Sequence, residues 1–165
     1  MTICWWGHPE SGYGGTSSHA AWCTSASSSA PSDYNTTAFH HRDTGFDICP
    51  DPSGVKRLTF NNYTLNEWHY YCVVYDGKVA ILYKDGIESN RVTVSSTEIA
   101  LKTFTTLFIG YSRAGGVYRK TLGGYSDFRI YVTALTPEQI EELYNTSASV
   151  DNQGNVYARE VVEKL

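Results

Sequence analysis

The stretch WHYYCVVYDGKVAILYKDGIESNRVTV, Trp68 to Val94, decides the fold. Two Asp-Gly pairs, Asp76-Gly77 and Asp85-Gly86, divide it into three apolar runs. A type I′ turn needs φ > 0 at both central residues, so Asp-Gly between such runs marks a hairpin. The pattern predicts a three-stranded antiparallel meander over Trp68–Tyr75, Lys78–Tyr83 and Ile87–Val94.

Upstream, Met1 to Trp6 is apolar and β-prone, a core strand that starts without a polar lead-in. Such a start suits a piece of a longer protein, or a domain lacking its first strand. Gly7–Ser18 and Ser25–Thr37 read as loops, with a short strand carrying Trp22 between them. Ala38–Ile48 holds one or two short strands around Phe39 and Phe46, turning at Asp43-Thr44-Gly45. Pro50 and Pro52 break the pattern by denying ladder donors, and Val55–Phe60 resumes it.

Downstream, Leu101–Ser112 contains the apolar run Thr106–Gly110, and Arg113–Gly116 is expected as a turn. Tyr125–Thr133 alternates, with Phe128, Ile130 and Val132 on one face and Asp127, Arg129 and Tyr131 on the other. One helix is expected. Thr136 stands at its N-cap, Pro137 at N1 and Gln139 at N3, a capping box. Leu135 and Ile140 fit a hydrophobic staple, and Ile140, Leu143 and Tyr144 form one apolar stripe. So short a helix must dock on something larger. Short strands set between turn clusters predict an all-β, antiparallel two-sheet sandwich. Residues 1–146 form the domain, and residues 147–165 a linker or terminal strand.

The totals agree. The chain has 165 residues, with 14% aromatic and only 18% charged. Thirteen tyrosines and many Ser and Thr suit a pleated, half-buried surface. The net charge is −4, with no basic stripe of the kind a phosphate backbone requires, which argues against a nucleic-acid partner. No run is long enough to span a membrane, and Met1–Glu10 has no secretory pattern. Cys4, Cys23, Cys49 and Cys72 lack zinc spacing. They are expected as free thiols, although the even count permits disulfides.

Taken in order, EWHYYCVVYDG, AILYKDG, LFIGYS and LGGYSDFRIYVTALTPEQIEELYN resemble the laminin-G-like, or concanavalin A-like lectin/glucanase, superfamily. The matching positions include Trp68-His69, Asp76-Gly77, Asp85-Gly86, Ile109-Gly110, Asp127, Arg129, Tyr131 and Thr136. The resemblance covers Glu67–Asn145 well and Thr2–Trp6 loosely. It implies a jelly roll, and a missing first strand whose place Asn155–Leu165 fills or leaves open for other domains of a longer parent chain. The segment ASVDNQGNVYAREVVE, residues 148–163, is similar to segments that follow such domains in bacteriophage tail and neck proteins.

Within that resemblance, carbohydrate binding is the leading expectation. Sugars sit on aromatic faces beside a few polar groups, and Tyr13, Trp22, Tyr34, Tyr111, Arg113 and Tyr118 are the candidates. Related sandwiches hold calcium at the position of Asp127 together with N-terminal groups. Against this stands a local pairing of Asp127 with Arg129. His40-His41 would face opposite sides of a strand, poor geometry for one metal. The Glu-x-Asp-x-x-Glu strand of the superfamily's glucan hydrolases is absent, and Gly110-Tyr111-Ser112-Arg113-Ala114 misses the last glycine of a nucleophile elbow. The expected function is a non-catalytic recognition or adhesion module at a virion or extracellular surface, binding a cell-surface glycan or protein through rim loops. The alternatives are a structural virion domain touching only neighbouring subunits, and a glycan-cleaving enzyme.

Overall fold

The computed structural model describes residues 1–10, 22–25, 39–42, 45–48, 56–60, 64–94, 105–109, 111–114, 117–120, 123–147, 149–150 and 156–157. The strands are β1 (Thr2–Pro9), β2 (Trp22–Ser25), β3 (Phe39–Arg42), β4 (Gly45–Ile48), β5 (Lys56–Thr59), β6 (His69–Tyr75) and β7 (Val79–Lys84). They continue as β8 (Ile87–Thr93), β9 (Thr106–Ile109), β10 (Tyr111–Ala114), β11 (Val117–Lys120) and β12 (Gly123–Tyr131). Helix α1 (Pro137–Thr146) follows, then β13 (Ser149–Val150) and β14 (Val156–Tyr157).

Two five-stranded sheets, ordered β12-β1-β6-β7-β8 and β5-β4-β3-β2-β9, form the sandwich, with β10–β11 and β13–β14 as separate ribbons. The meander of Trp68–Val94 is β6-β7-β8, antiparallel throughout. Its second turn is as expected: Asp85 (φ 54) and Gly86 (φ 80) both take positive φ, as type I′ demands. The first turn differs. Gly77 has φ 104, whereas Asp76 stays out of that region. Instead the Asp76 carboxylate accepts from the N–H groups of Lys78 and Val79, both at 2.7 Å. The side chain thus closes the turn that backbone torsion closes at Asp85.

β1 is buried on both faces. Inward, Ile3 and Trp5 join Trp22, Phe39, Phe46, Leu58, Tyr71 and Val73 in the core between the sheets. Trp5 meets Trp22 edge-on at 5.0 Å and stacks on Tyr71 at 5.6 Å. His41 is 3% exposed and packs beside Trp5 at 5.1 Å. Outward, Cys4 and Trp6 join Tyr70, Cys72 and Tyr83 beneath Ile140 of α1. The helix has the expected capping box at Thr136 and Gln139, and Leu135 packs against the same cluster as Ile140.

The cysteine expectation is corrected. Cys4 and Cys72 face each other across β1 and β6 and form a disulfide rather than standing as free thiols. Of the segment Asn155–Leu165, Val156–Tyr157 pairs with Ser149–Val150, and the other residues lie outside those described.

The loop Thr64–Trp68 is locked to the meander by polar contacts. Asp85 accepts from the Tyr70 N–H at 2.9 Å, and its own N–H donates to the Tyr70 carbonyl at 2.7 Å. Its second carboxylate oxygen lies 2.7 Å from His69 Nδ1. An ionised carboxylate only accepts, so Nδ1 carries the proton; in the neutral ring Nε2 accepts from the Thr64 hydroxyl at 2.7 Å. Burial alone would raise the pKa of Asp85, but the hydrogen bonds from His69 and Tyr70 outweigh it and hold the carboxyl below its ordinary range.

Reducing the Cys4–Cys72 bond closes off a constraint spanning 68 residues. A Cys4→Ser/Cys72→Ser variant is therefore expected to lose about 2–5 kcal/mol in urea unfolding. A depressed folded-state value makes Asp85 stabilising above the unfolded carboxyl range, an effect lost as pH falls through the folded one. Asp85→Asn, which tolerates positive φ, is thus expected to be less stable than wild type at pH 7. The gap in urea midpoint should close below about pH 4; a gap independent of pH would assign the residue a purely steric role.

Candidate functional site

The site grows from a short ribbon at the rim of the second sheet. β9 is the edge strand of that sheet, and a single residue separates it from β10, which lies against β2 and β9. β10 and β11 are antiparallel with Tyr111 opposite Lys120, Ser112 opposite Arg119, Arg113 opposite Tyr118 and Ala114 opposite Val117. That register leaves Gly115 and Gly116 between the last pair. Of the turn expected over Arg113–Gly116, Arg113 and Ala114 are strand residues, and the two glycines lie outside the described residues.

Residues opposite one another on an antiparallel pair share a face, as do residues two apart along a strand. Tyr111, Arg113, Tyr118 and Lys120 hence occupy one face of the ribbon, and Ser112, Ala114, Val117 and Arg119 the other. Three of the six candidate ligand residues are brought together in this way. General strand spacing puts the four positions at the corners of a rectangle about 5 by 7 Å, with a tyrosine opposite each cation. Lys120 was not among the candidates. Centring the hairpin on Gly115-Gly116 gives the signal that would have found it, because the alternation then runs Tyr111, Arg113, Tyr118, Lys120.

The other candidates do not join them. Trp22 is withdrawn from the ligand set: it is fully buried on β2, among Trp5, Phe46 and Phe128. An indole in that core has no face to offer a sugar. Tyr13 and Tyr34 lie outside the described residues.

Asp127 sits at a bulge in β12. Arg129 is opposite Cys4 and Ser126 opposite Trp6, so Asp127 and Phe128 together face Trp5. Asp127 absorbs the extra residue with φ 49, a conformation that short polar side chains tolerate. Its Oδ1 accepts from Arg129 Nε at 2.6 Å, the local pairing weighed against calcium. The carboxylate raises the affinity of the guanidinium for its proton, and that fixed cation supplies the positive charge a metal would bring. Oδ2 is buried and has no hydrogen-bond partner among the described residues. Hard cations want six or more oxygens, and no group of three His, Cys, Asp or Glu stands together among the described residues.

Thr64, His69 and Asp85 have the order of nucleophile, base and orienting acid. Glu67 Oε2 lies 3.3 Å from the same ring nitrogen, His69 Nε2, an ion pair when the ring carries a second proton. Glu67 and Asp85 therefore flank an imidazole, which occupies the space that a glycosidic bond and its water would need between two carboxylates. Both contacts serve the lock described above.

Comparison with solved structures finds the same sandwich in proteins of low sequence identity. A native heptameric SAP-like pentraxin from Limulus polyphemus matches with a TM-score of 0.62 and 17% identity, covering 87% of this chain and 68% of its own. The CBM40 of the Ruminococcus gnavus IT-sialidase, bound to alpha2,3 sialyllactose, matches at 0.63 and 12%, covering 87% and 81%. The receptor binding domain of botulinum neurotoxin type G matches at 0.64 and 13%, covering 93% of this chain and 40% of that one. At such identities the likeness is one of fold. A search of curated proteins by sequence finds no match. A laminin-G family model described as "Concanavalin A-like lectin/glucanases superfamily" matches residues 1–141. With the jelly-roll sandwich in place around that match, the chain belongs to the concanavalin A-like lectin/glucanase superfamily.

Proposed function

We propose that this domain is a non-catalytic recognition module that binds carbohydrate through the β10–β11 ribbon. The observation that carries the reading is the register that gathers Tyr111, Arg113 and Tyr118 on one face. Aromatic rings with a few polar groups are what a sugar-binding surface needs, and here they stand at the rim of a rigid sandwich. The structural neighbours, a CBM40 bound to sialyllactose and a receptor binding domain, support a binding role on this scaffold. Fold alone does not fix function, so the weight rests on the ribbon. The virion or extracellular location expected from the sequence fits such a module and belongs to this proposal.

A reading as a virion domain that touches only neighbouring subunits draws on Val132 and Ile130. They are 93% and 42% exposed at the end of the edge strand β12. Isolated exposed apolar residues are common on protein surfaces, so the ribbon is preferred.

A glycan array probed with the purified chain separates the two readings. Specific signals are expected, and Tyr111→Ala and Tyr118→Ala are each expected to weaken binding about ten-fold at unchanged melting temperature. A blank array would retire the carbohydrate reading in favour of subunit contact.

A further inference from the structure

Charge is distributed unevenly along the chain. From Ile99 to Ser126 there are four cations, Lys102, Arg113, Arg119 and Lys120, and no Asp or Glu. The remaining residues carry nine cations against seventeen carboxylates, a net of −8. Three of the four cations of the acid-free run fall on the β10–β11 ribbon. The sequence pattern of isolated cations hides this. Only the hairpin register brings Arg113 and Lys120, seven positions apart, to one face with Tyr111 and Tyr118.

From this juxtaposition we infer that the ribbon takes an acidic glycan, whose carboxylate or sulfate is held by Arg113 and Lys120 while its ring lies against Tyr111 and Tyr118. The inference rests on the carbohydrate reading above and names its ligand class. Arg offers a planar fork that matches a carboxylate or sulfate, and Lys a point charge. The two cations occupy one diagonal of the four-residue face and the two tyrosines the other. A single anionic group on one ring can therefore meet a cation and an aromatic together. A phosphate backbone is a poorer fit, because it gains affinity from many neutralised phosphates. This ribbon carries three cations on a chain of net charge −4.

The test titrates the whole chain by calorimetry with lactose, 3′-sialyllactose, a sulfated lactose and a single-stranded oligonucleotide. At least one anionic sugar is expected to bind about ten-fold or more tighter than lactose. The carboxylate and sulfate arms show which anion is taken. The advantage is expected to shrink in about 0.5 M salt, a readout that needs no variant. Arg113→Gln/Lys120→Gln is expected to erase it. Arg119→Gln, on the opposite face, is expected to keep it, all three proteins sharing one melting temperature. Lactose bound as tightly as its anionic forms would overturn the acidic class and leave carbohydrate recognition standing. An anionic preference that survives Arg113→Gln/Lys120→Gln would move the site elsewhere. Binding of the oligonucleotide alone, or of nothing, would overturn both readings.

Discussion

β1 is pressed from two sides, and the sandwich is arranged around that constraint. It lies between β6 and β12, with the second sheet on its inner face and α1 over its outer face. A strand so placed cannot alternate apolar with polar residues, because neither face reaches water. Thr2-Ile3-Cys4-Trp5-Trp6 meets the demand, Ile3 and Trp5 pointing inward and Cys4 and Trp6 outward. Two of the polar groups it buries, on Thr2 and Trp6, are satisfied by the far end of the chain. Thr2 Oγ1 donates to the Thr133 carbonyl and accepts from the Leu135 N–H, and Trp6 Nε1 donates to Ser147 Oγ. Residues 2–6 and 133–147 thus close the fold together.

Rigidity there bears on the rim. The ribbon has only four residues in each strand and no sheet of its own beyond that pair. Two-stranded ribbons are marginal alone, so its face depends on the support that β2 and β9 give β10. Binding residues on a short rim element, held by a packed scaffold, can vary without disturbing the core. Neighbours of 12–17% identity retain the sandwich, which is the pattern such a division of labour produces.

Two residues that carry chemical promise in the sequence are absorbed by local needs. Asp127 is held by Arg129 at the bulge that lies opposite Trp5. His69 is held between Asp85 and Thr64, fixing the entry to the meander. Trp68 completes this corner by packing against His8 and over Gly124, where a Cβ would stand 2.7 Å from the indole. A buried polar group left without partners costs more than the contact gains, so such pairings form first wherever geometry allows them.

The sequence by itself determined the meander, the capped helix and the two-layer β architecture. Each rests on interactions between residues close in the chain. Asp85-Gly86 closes its turn through its own torsions, and Thr136 and Gln139 cap each other across three positions. Alternation within a strand is equally local. The tertiary structure decided what depends on distant pairing: Cys4 against Cys72, Trp22 inside the core rather than at the rim, and His41 among aromatic rings. It also decided the shared face of Tyr111, Arg113, Tyr118 and Lys120, because moving a hairpin register by one residue sends each side chain to the opposite face.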